Sequence, residues 1–276
     1  MKAPPLFVSF SSQERLVASL ESPPEWERDA IRKLAADGLP PATSISTLAT
    51  LFGYSKKFIA SMRKVTMRYY RTFRLGNPDT GRKIEAPRVA LKVIQKWIGE
   101  HLAEQVDLPE SAHGFVPGRS LLTAASEHCP AHWVASVDVR NFFPSTPSTR
   151  IGNALGRVGY PGRAVETLVP LLTYGDRLPQ GSPASPVVAN LCFAPLDQKI
   201  EALANEFDAT YTRYADDLVF SGGQSDISLT RIERLQEECR ELVEGNSPYE
   251  MHPGKTSSSI RPERVCVHGL TVHGES

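Results

Sequence analysis

The sequence predicts an α+β fold: a small antiparallel sheet backed by helices. Three observations lead to it. His132–Val139 reads as a strand, its apolar Trp133, Val134, Ala135 and Val137 leading into Asp138. Thr210–Tyr214 and Leu218–Ser221 read as two more strands, close enough in sequence, across Ala215-Asp216-Asp217, to form a hairpin. Much of the remaining chain carries helical rather than alternating periodicity. The chain has 276 residues (30.4 kDa), 41% of them apolar and 22% charged, enough for a packed core. That composition excludes a disordered tail, a collagen-like repeat and a disulfide miniprotein.

In chain order, Glu25–Asp37 has helical periodicity, ends at Gly38 and is stopped by Pro40-Pro41. Ser46 is expected to cap a short helix through Leu51 and Phe52, and a second runs Ser55–Arg63 after Gly53. Two short helices about a glycine fit a DNA-binding helix-turn-helix and also a small helical cap, the commoner use of such a pair. Tyr70–Leu75 and Arg82–Pro87 flank a turn dense in Gly, Pro, Asn and Asp, which predicts a hairpin carrying four basic residues. A long amphipathic helix follows, with Val89, Val93, Trp97 and Leu102 expected on its apolar face. Leu178–Pro186 reads as a loop, with Ser185 as N-cap and Pro186 at the first position of the next helix. Residues 228–244 predict a charged helix, and 264–272 a strand pair or a strand and turn.

Net charge is zero, 31 basic against 31 acidic residues, but the charges are segregated. Residues 56–102 hold twelve Lys/Arg against three acids, interleaved with Tyr69, Tyr70, Phe73 and Trp97, a mixture suited to phosphates and stacked bases. Residues 199–244 hold eleven acids against five bases. The four cysteines have no metal-ligand spacing, no apolar run has membrane-span length, and the N-terminus lacks a signal peptide's apolar stretch. A soluble cytoplasmic protein with no membrane partner is expected.

Asp138 closes one apolar strand, and Asp216-Asp217 lie at the hairpin tip. Carboxylates on adjacent strand ends repel, and a desolvated site raises that cost. A divalent cation offsets it, and oxygen-only ligands favour Mg²⁺, which also takes phosphate oxygens. Two such ions about 4 Å apart can clamp the attacking and leaving oxygens of a phosphoryl transfer.

The aspartates stand in longer boxes: Tyr214-Ala215-Asp216-Asp217, preceded by Asp138-Val139-Arg140-Asn141-Phe142-Phe143-Pro144-Ser145, by Leu178-Pro179-Gln180-Gly181-Ser182-Pro183 and by His113-Gly114-Phe115-Val116-Pro117-Gly118-Arg119-Ser120. Over residues 65–272 they resemble the bacterial reverse transcriptases of retrons, relatives of the group II intron enzymes. The resemblance implies a right-hand polymerase fold with fingers and an antiparallel palm sheet. It divides the chain into an N-terminal helical cap (1–64), fingers (65–130), palm (131–272) and the start of a thumb (273–276), with most of the thumb absent from this chain.

The resemblance further implies an RNA-directed DNA polymerase working with two Mg²⁺ ions in anti-phage defence. Its partners would be a non-coding RNA serving as template and primer, the RNA–DNA hybrid, deoxynucleoside triphosphates, and an effector or thumb-supplying protein. Asp138, Asp216 and Asp217 would hold the metal. Lys255 would protonate the departing pyrophosphate. Arg82 and Lys83 would grip the triphosphate, Gln180 would contact the nucleotide, and Gly181 would permit close backbone approach. Phe143 would exclude a 2′-hydroxyl, although one of Phe142 and Phe143 must be core, and Arg119 would support the fingers or the template.

Two retron elements are partial. Ala124-Ala125-Ser126-Glu127-His128 lacks the asparagine of Asn-Ala-x-x-His, and Val267-His268-Gly269 has histidine where the family has threonine. The alternatives are another defence-associated or intron-like reverse transcriptase, and a scaffold that binds RNA or a toxin with weak polymerase activity.

Overall fold

Ser44, rather than Ser46, caps the second of the early helices, its hydroxyl accepting from the Thr47 amide. The structure, a computed structural model, describes residues 10–77, 79 and 81–272. The expected start of a thumb at 273–276 lies outside them. The helices are α1 (Gln13–Ala18), α2 (Glu25–Ala36), α3 (Ile45–Phe52), α4 (Lys56–Lys64), α5 (Val89–Gln105), α6 (Leu121–Glu127), α7 (Ser148–Val158), α8 (Gly162–Leu172), α9 (Ser185–Glu206) and α10 (Leu229–Asn246). The strands are β1 (Tyr70–Leu75), β2 (Arg82–Pro87), β3 (Trp133–Arg140), β4 (Thr210–Tyr214), β5 (Asp217–Gly222), β6 (Glu250–Met251), β7 (Ser257–Ile260), β8 (Cys266–Val267) and β9 (Leu270–Thr271). Backbone contacts divide the chain into two units, residues 1–106 with 146–192, and residues 107–145 with 193–276.

The first unit is a helical assembly carrying the β1–β2 hairpin, whose register runs from Tyr70↔Pro87 to Leu75↔Arg82. Of the face expected on α5, Trp97 and Leu102 are buried but the two valines are not. Leu91, Ile94, Ile98 and Leu102 are fully buried, whereas Val89 is 79% and Val93 36% exposed. The spacing 91, 94, 98, 102 follows a helical stripe, each such side chain worth about 2 kcal/mol of burial. Gln95, also buried, donates to Tyr70 Oη (2.6 Å) and to the Leu171 carbonyl (2.8 Å), and accepts from the Ser182 hydroxyl (2.8 Å). One amide thereby joins the hairpin base, α8 and the loop before α9. Ser185 is the first residue of α9 instead of its cap, and its hydroxyl donates back to the Pro179 carbonyl.

The second unit is built on β3. On one side β3 pairs antiparallel with β5, which pairs with β4. On the other it pairs with β7 along Trp133–Ser136 and with β6 at Val139–Arg140. The charged helix α10 packs against β3 and β6, and its Gln236 donates to the carbonyls of Ser136 and Ser257. The outer edge of β4 is covered at its end by the turn: Arg213 bridges in parallel to Ala112, exchanging backbone hydrogen bonds with Ser111 and His113. That removes the Arg213 backbone groups from the ladder edge open to another chain.

Candidate active site

The Tyr214-Ala215-Asp216-Asp217 box folds as a two-residue hairpin turn, Tyr214 pairing with Asp217 across it. Ala215 takes a left-handed φ of +58°, strained for a residue with a Cβ. Backbone packing supports it. A Cβ on Gly114 would collide with the Ala215 amide, so glycine lets the 111–114 segment lie against the turn. From the other side the Arg213 guanidinium donates to the Ala215 carbonyl at 3.1 Å.

Arg213 and its partner Asp197 on α9 are both fully buried, joined by two bonds of 2.8 and 2.7 Å, and Tyr211 donates to the same carboxylate at 2.9 Å. Burial opposes the Arg213 charge, and Asp197 more than offsets it, holding the guanidinium above its ordinary value. The guanidinium stacks 4.7 Å over the Phe193 ring. Neither member of this pair was expected from sequence; the only signal was a charged residue inside a predicted strand.

Asp138 sits opposite Asp217 in the β3–β5 register, and the Val139 amide donates to the Asp216 carbonyl at 2.8 Å. The three aspartates therefore share one end of the sheet. Burial pushes the Asp216 carboxyl above its ordinary value; Asp138 and Asp217 add to the rise, and Lys255 works against it. Lys255 Nζ donates to Asp138 Oδ2 at 2.8 Å, a bond that holds the ammonium above its ordinary value. His268 Nδ1 lies 3.0 Å from Asp217 Oδ2. Lys255 was an expected site residue, whereas His268 was marked only as a departure from a motif.

Among the described residues no three His, Cys, Asp or Glu side chains form a ready-made metal cage. Mg²⁺ does not need one, since it is commonly held by one or two carboxylates plus water and substrate phosphates. Asp138 and Asp216 fit that role. Their donors are hard oxygens, and the uphill ionisation of Asp216 marks a half-buried negative charge with too little compensation.

At the end of β3, Asn141 turns the chain at φ +50°, burying Phe142 and leaving Phe143 partly exposed. Phe143 lies 6.2 Å from the Phe115 ring, which in turn lies 6.4 Å from Tyr214. Arg119 donates to the carbonyls of Pro109, Glu110 and Ala112 and so fixes the loop beneath Phe115. His128 is buried and bonded to Thr212 and Ser221 at 2.7 Å each, which ties α6 to β4 and β5.

The remaining expected residues gather in the first unit. Gly181 has φ +132°, and a Cβ there would press within 3.0 Å of the Glu85 carbonyl and the Ile84 side chain. Glycine thus lets the 178–183 loop lie on β2, where the Glu85 amide donates to the Gln180 carbonyl at 2.7 Å. The Gln180 amide, oriented by its surroundings, accepts from Arg82 Nε and donates to the Lys83 carbonyl, both at 3.3 Å. Buried Glu85 forms a two-bond ion pair with Arg177, and Lys83 approaches the same carboxylate at 3.5 Å. Arg82 and Lys83 are exposed at the hairpin.

Residues 75–272 match the family model described as "Reverse transcriptase (RNA-dependent DNA polymerase)". The fold is also similar to a telomerase from Candida albicans solved with a fragment of telomeric RNA (TM-score 0.53, 9% identity, 74% of this chain and 45% of that one). The chain therefore belongs to the reverse transcriptase family, a polymerase fold of helices and antiparallel sheets. Within that family it is of the bacterial retron type. It is 32% identical to the retron Mx162 reverse transcriptase of Myxococcus xanthus, over 95% of this chain and 59% of the relative. It is 31% identical to the retron Mx65 reverse transcriptase of the same organism, over 87% and 61%. It thus spans about three fifths of the length of these relatives. Among the described residues no helix is long and apolar enough to cross a membrane.

Proposed function

We propose that this chain is an RNA-directed DNA polymerase that copies a non-coding RNA into DNA from deoxynucleoside triphosphates. The observation that carries the reading is the convergence of Asp138, Asp216 and Asp217 on one sheet end, with Lys255 bonded to the first of them.

Asp138 and Asp216 would hold two Mg²⁺ ions, and Asp217 would support them. When bound, the ions supply the positive charge that an in-line displacement at phosphorus requires. Lys255, kept protonated by its carboxylate neighbours, carries the proton that departing pyrophosphate takes up. Arg82 and Lys83 bind the triphosphate by charge-assisted hydrogen bonds, and Gln180 orients the nucleotide. Phe143 offers a ring that a 2′-hydroxyl would strike, which selects deoxynucleotides. In this reading residues 1–64 form a helical cap, 65–130 the fingers and 131–272 the palm. The RNA serves as template and primer and becomes an RNA–DNA hybrid. An effector protein of anti-phage defence completes the system.

The test is primer extension on an RNA template with Mg²⁺ and deoxynucleotides, beside Asp216→Ala. Extension by the wild type that vanishes in the variant supports the reading. RNA binding without extension would move it to a binding scaffold.

A further inference from the structure

Two of the three carboxylates are engaged by donors from late in the chain, and the donors differ in kind. Lys255 is a half-exposed ammonium, whereas the His268 side chain is only 6% exposed. His268 and Gly269 form the turn between β8 and β9, at φ +49° and +83°. Positive φ at both positions is the two-residue hairpin turn that Asn-Gly or Asp-Gly would serve equally well. A histidine adds a ring, which lies 5.5 Å from the Tyr214 ring and places Nδ1 on Asp217. The turn itself is anchored, since Val265, Val267 and Val272 are buried in one apolar cluster with Val134 and Val219.

We propose that His268 is a positioning residue: its Nδ1–H···Oδ2 bond fixes the orientation of the Asp217 carboxylate and so the shape of the cation site at the hairpin turn. The proposal rests on the polymerase reading above for the site's purpose, while its geometry stands apart. A carboxylate accepts only, so the bond requires the proton on Nδ1. His268 Nε2 is buried without a partner, and a bare ring lone pair there costs less than an orphaned N–H donor. Both nitrogens therefore favour the same tautomer. Partners that orient a metal site's carboxylates commonly govern its affinity by one to two orders of magnitude.

The probe is Mn²⁺ added to the nucleotide-free protein and followed by the electron paramagnetic resonance of the free ion. His268→Leu is expected to weaken Mn²⁺ binding about tenfold. It should also raise the Mg²⁺ needed for half-maximal extension by a similar factor, with KM for deoxynucleotides unchanged. His268→Asn, whose amide N–H stands close to where the imidazole Nδ1–H stands, should restore both. Wild-type affinity in His268→Leu, or no recovery in His268→Asn, overturns the proposal. A ¹⁵N correlation spectrum of the wild-type histidines needs no variant: a proton on His268 Nδ1 supports the bond, and a bare Nδ1 overturns it. A wild type that fails to extend any primer while His268 behaves as described counts against the polymerase reading alone.

Discussion

Asp138 stands directly across the β3–β5 pair from Asp217, so two carboxylates occupy facing positions at the end of one ladder. Like charges facing each other in a sheet destabilise it, and the half-buried Asp216 at the adjacent turn adds to the strain. A cluster retained at such cost points to the ligand it serves.

Asp216→Asn should therefore separate activity from stability. Extension is expected to fall at least a thousandfold, because a metal-binding carboxylate is lost. The melting temperature should stay level or rise, because a poorly compensated charge leaves the turn. Extension assays and thermal melts of the two proteins check this, and a large fall in melting temperature would count against it.

Phe143→Ala should admit ribonucleotides. With the partly exposed ring removed, the preference for deoxynucleotides over ribonucleotides, measured as the ratio of kcat/KM, is expected to drop at least tenfold. An unchanged ratio would return Phe143 to a packing role beside Phe115.

The buried pair beneath the turn predicts a stability asymmetry. Arg213→Met leaves Asp197 charged and unpaired in the core and should cost about 3–5 kcal/mol by urea denaturation. Arg213→Met with Asp197→Leu should recover much of that loss, although Tyr211 then lacks its acceptor. A double variant no more stable than the single one contradicts this account.

His128 predicts an acid sensitivity. Burial lowers its value to about 4, against 6.5 in the unfolded chain. The folded form thus binds fewer protons between those values. Its contribution to stability is complete above pH 6.5 and is lost as the pH falls toward 4, by about 3 kcal/mol. His128→Gln keeps hydrogen-bonding capacity toward Thr212 and Ser221 without titrating. Urea midpoints at pH 7 and pH 4.5 should differ less in this variant than in the wild type, and equal differences would reject the assignment.

Much of the architecture was legible where the information is local. The β1–β2 hairpin ends at the predicted residues because a Gly- and Asn-containing turn and its flanking strands sit within eighteen consecutive positions. The strand leading into Asp138 and the turn at Asp216 were legible for the same reason. Helices α7 and α8 were not expected, nor were the short strands β6 and β7, whose pairing with β3 spans more than a hundred residues of chain. On α5 the apolar periodicity showed a helix, but with valines on one side and Leu91, Ile94 and Ile98 on another, only packing could select the buried stripe.

By itself the sequence determined the chemistry on offer: three aspartates, a lysine and an aromatic ring in boxes whose order names a family. Tertiary structure alone decided how those groups are engaged. Lys255 meets Asp138 across 117 residues, His268 reaches Asp217 from the last hairpin, and Arg213 finds Asp197 inside the core. Residue type and spacing specify what a side chain can do. Its partner, and the charge it must carry as a result, follow from which distant segments the fold brings within about 3 Å of it.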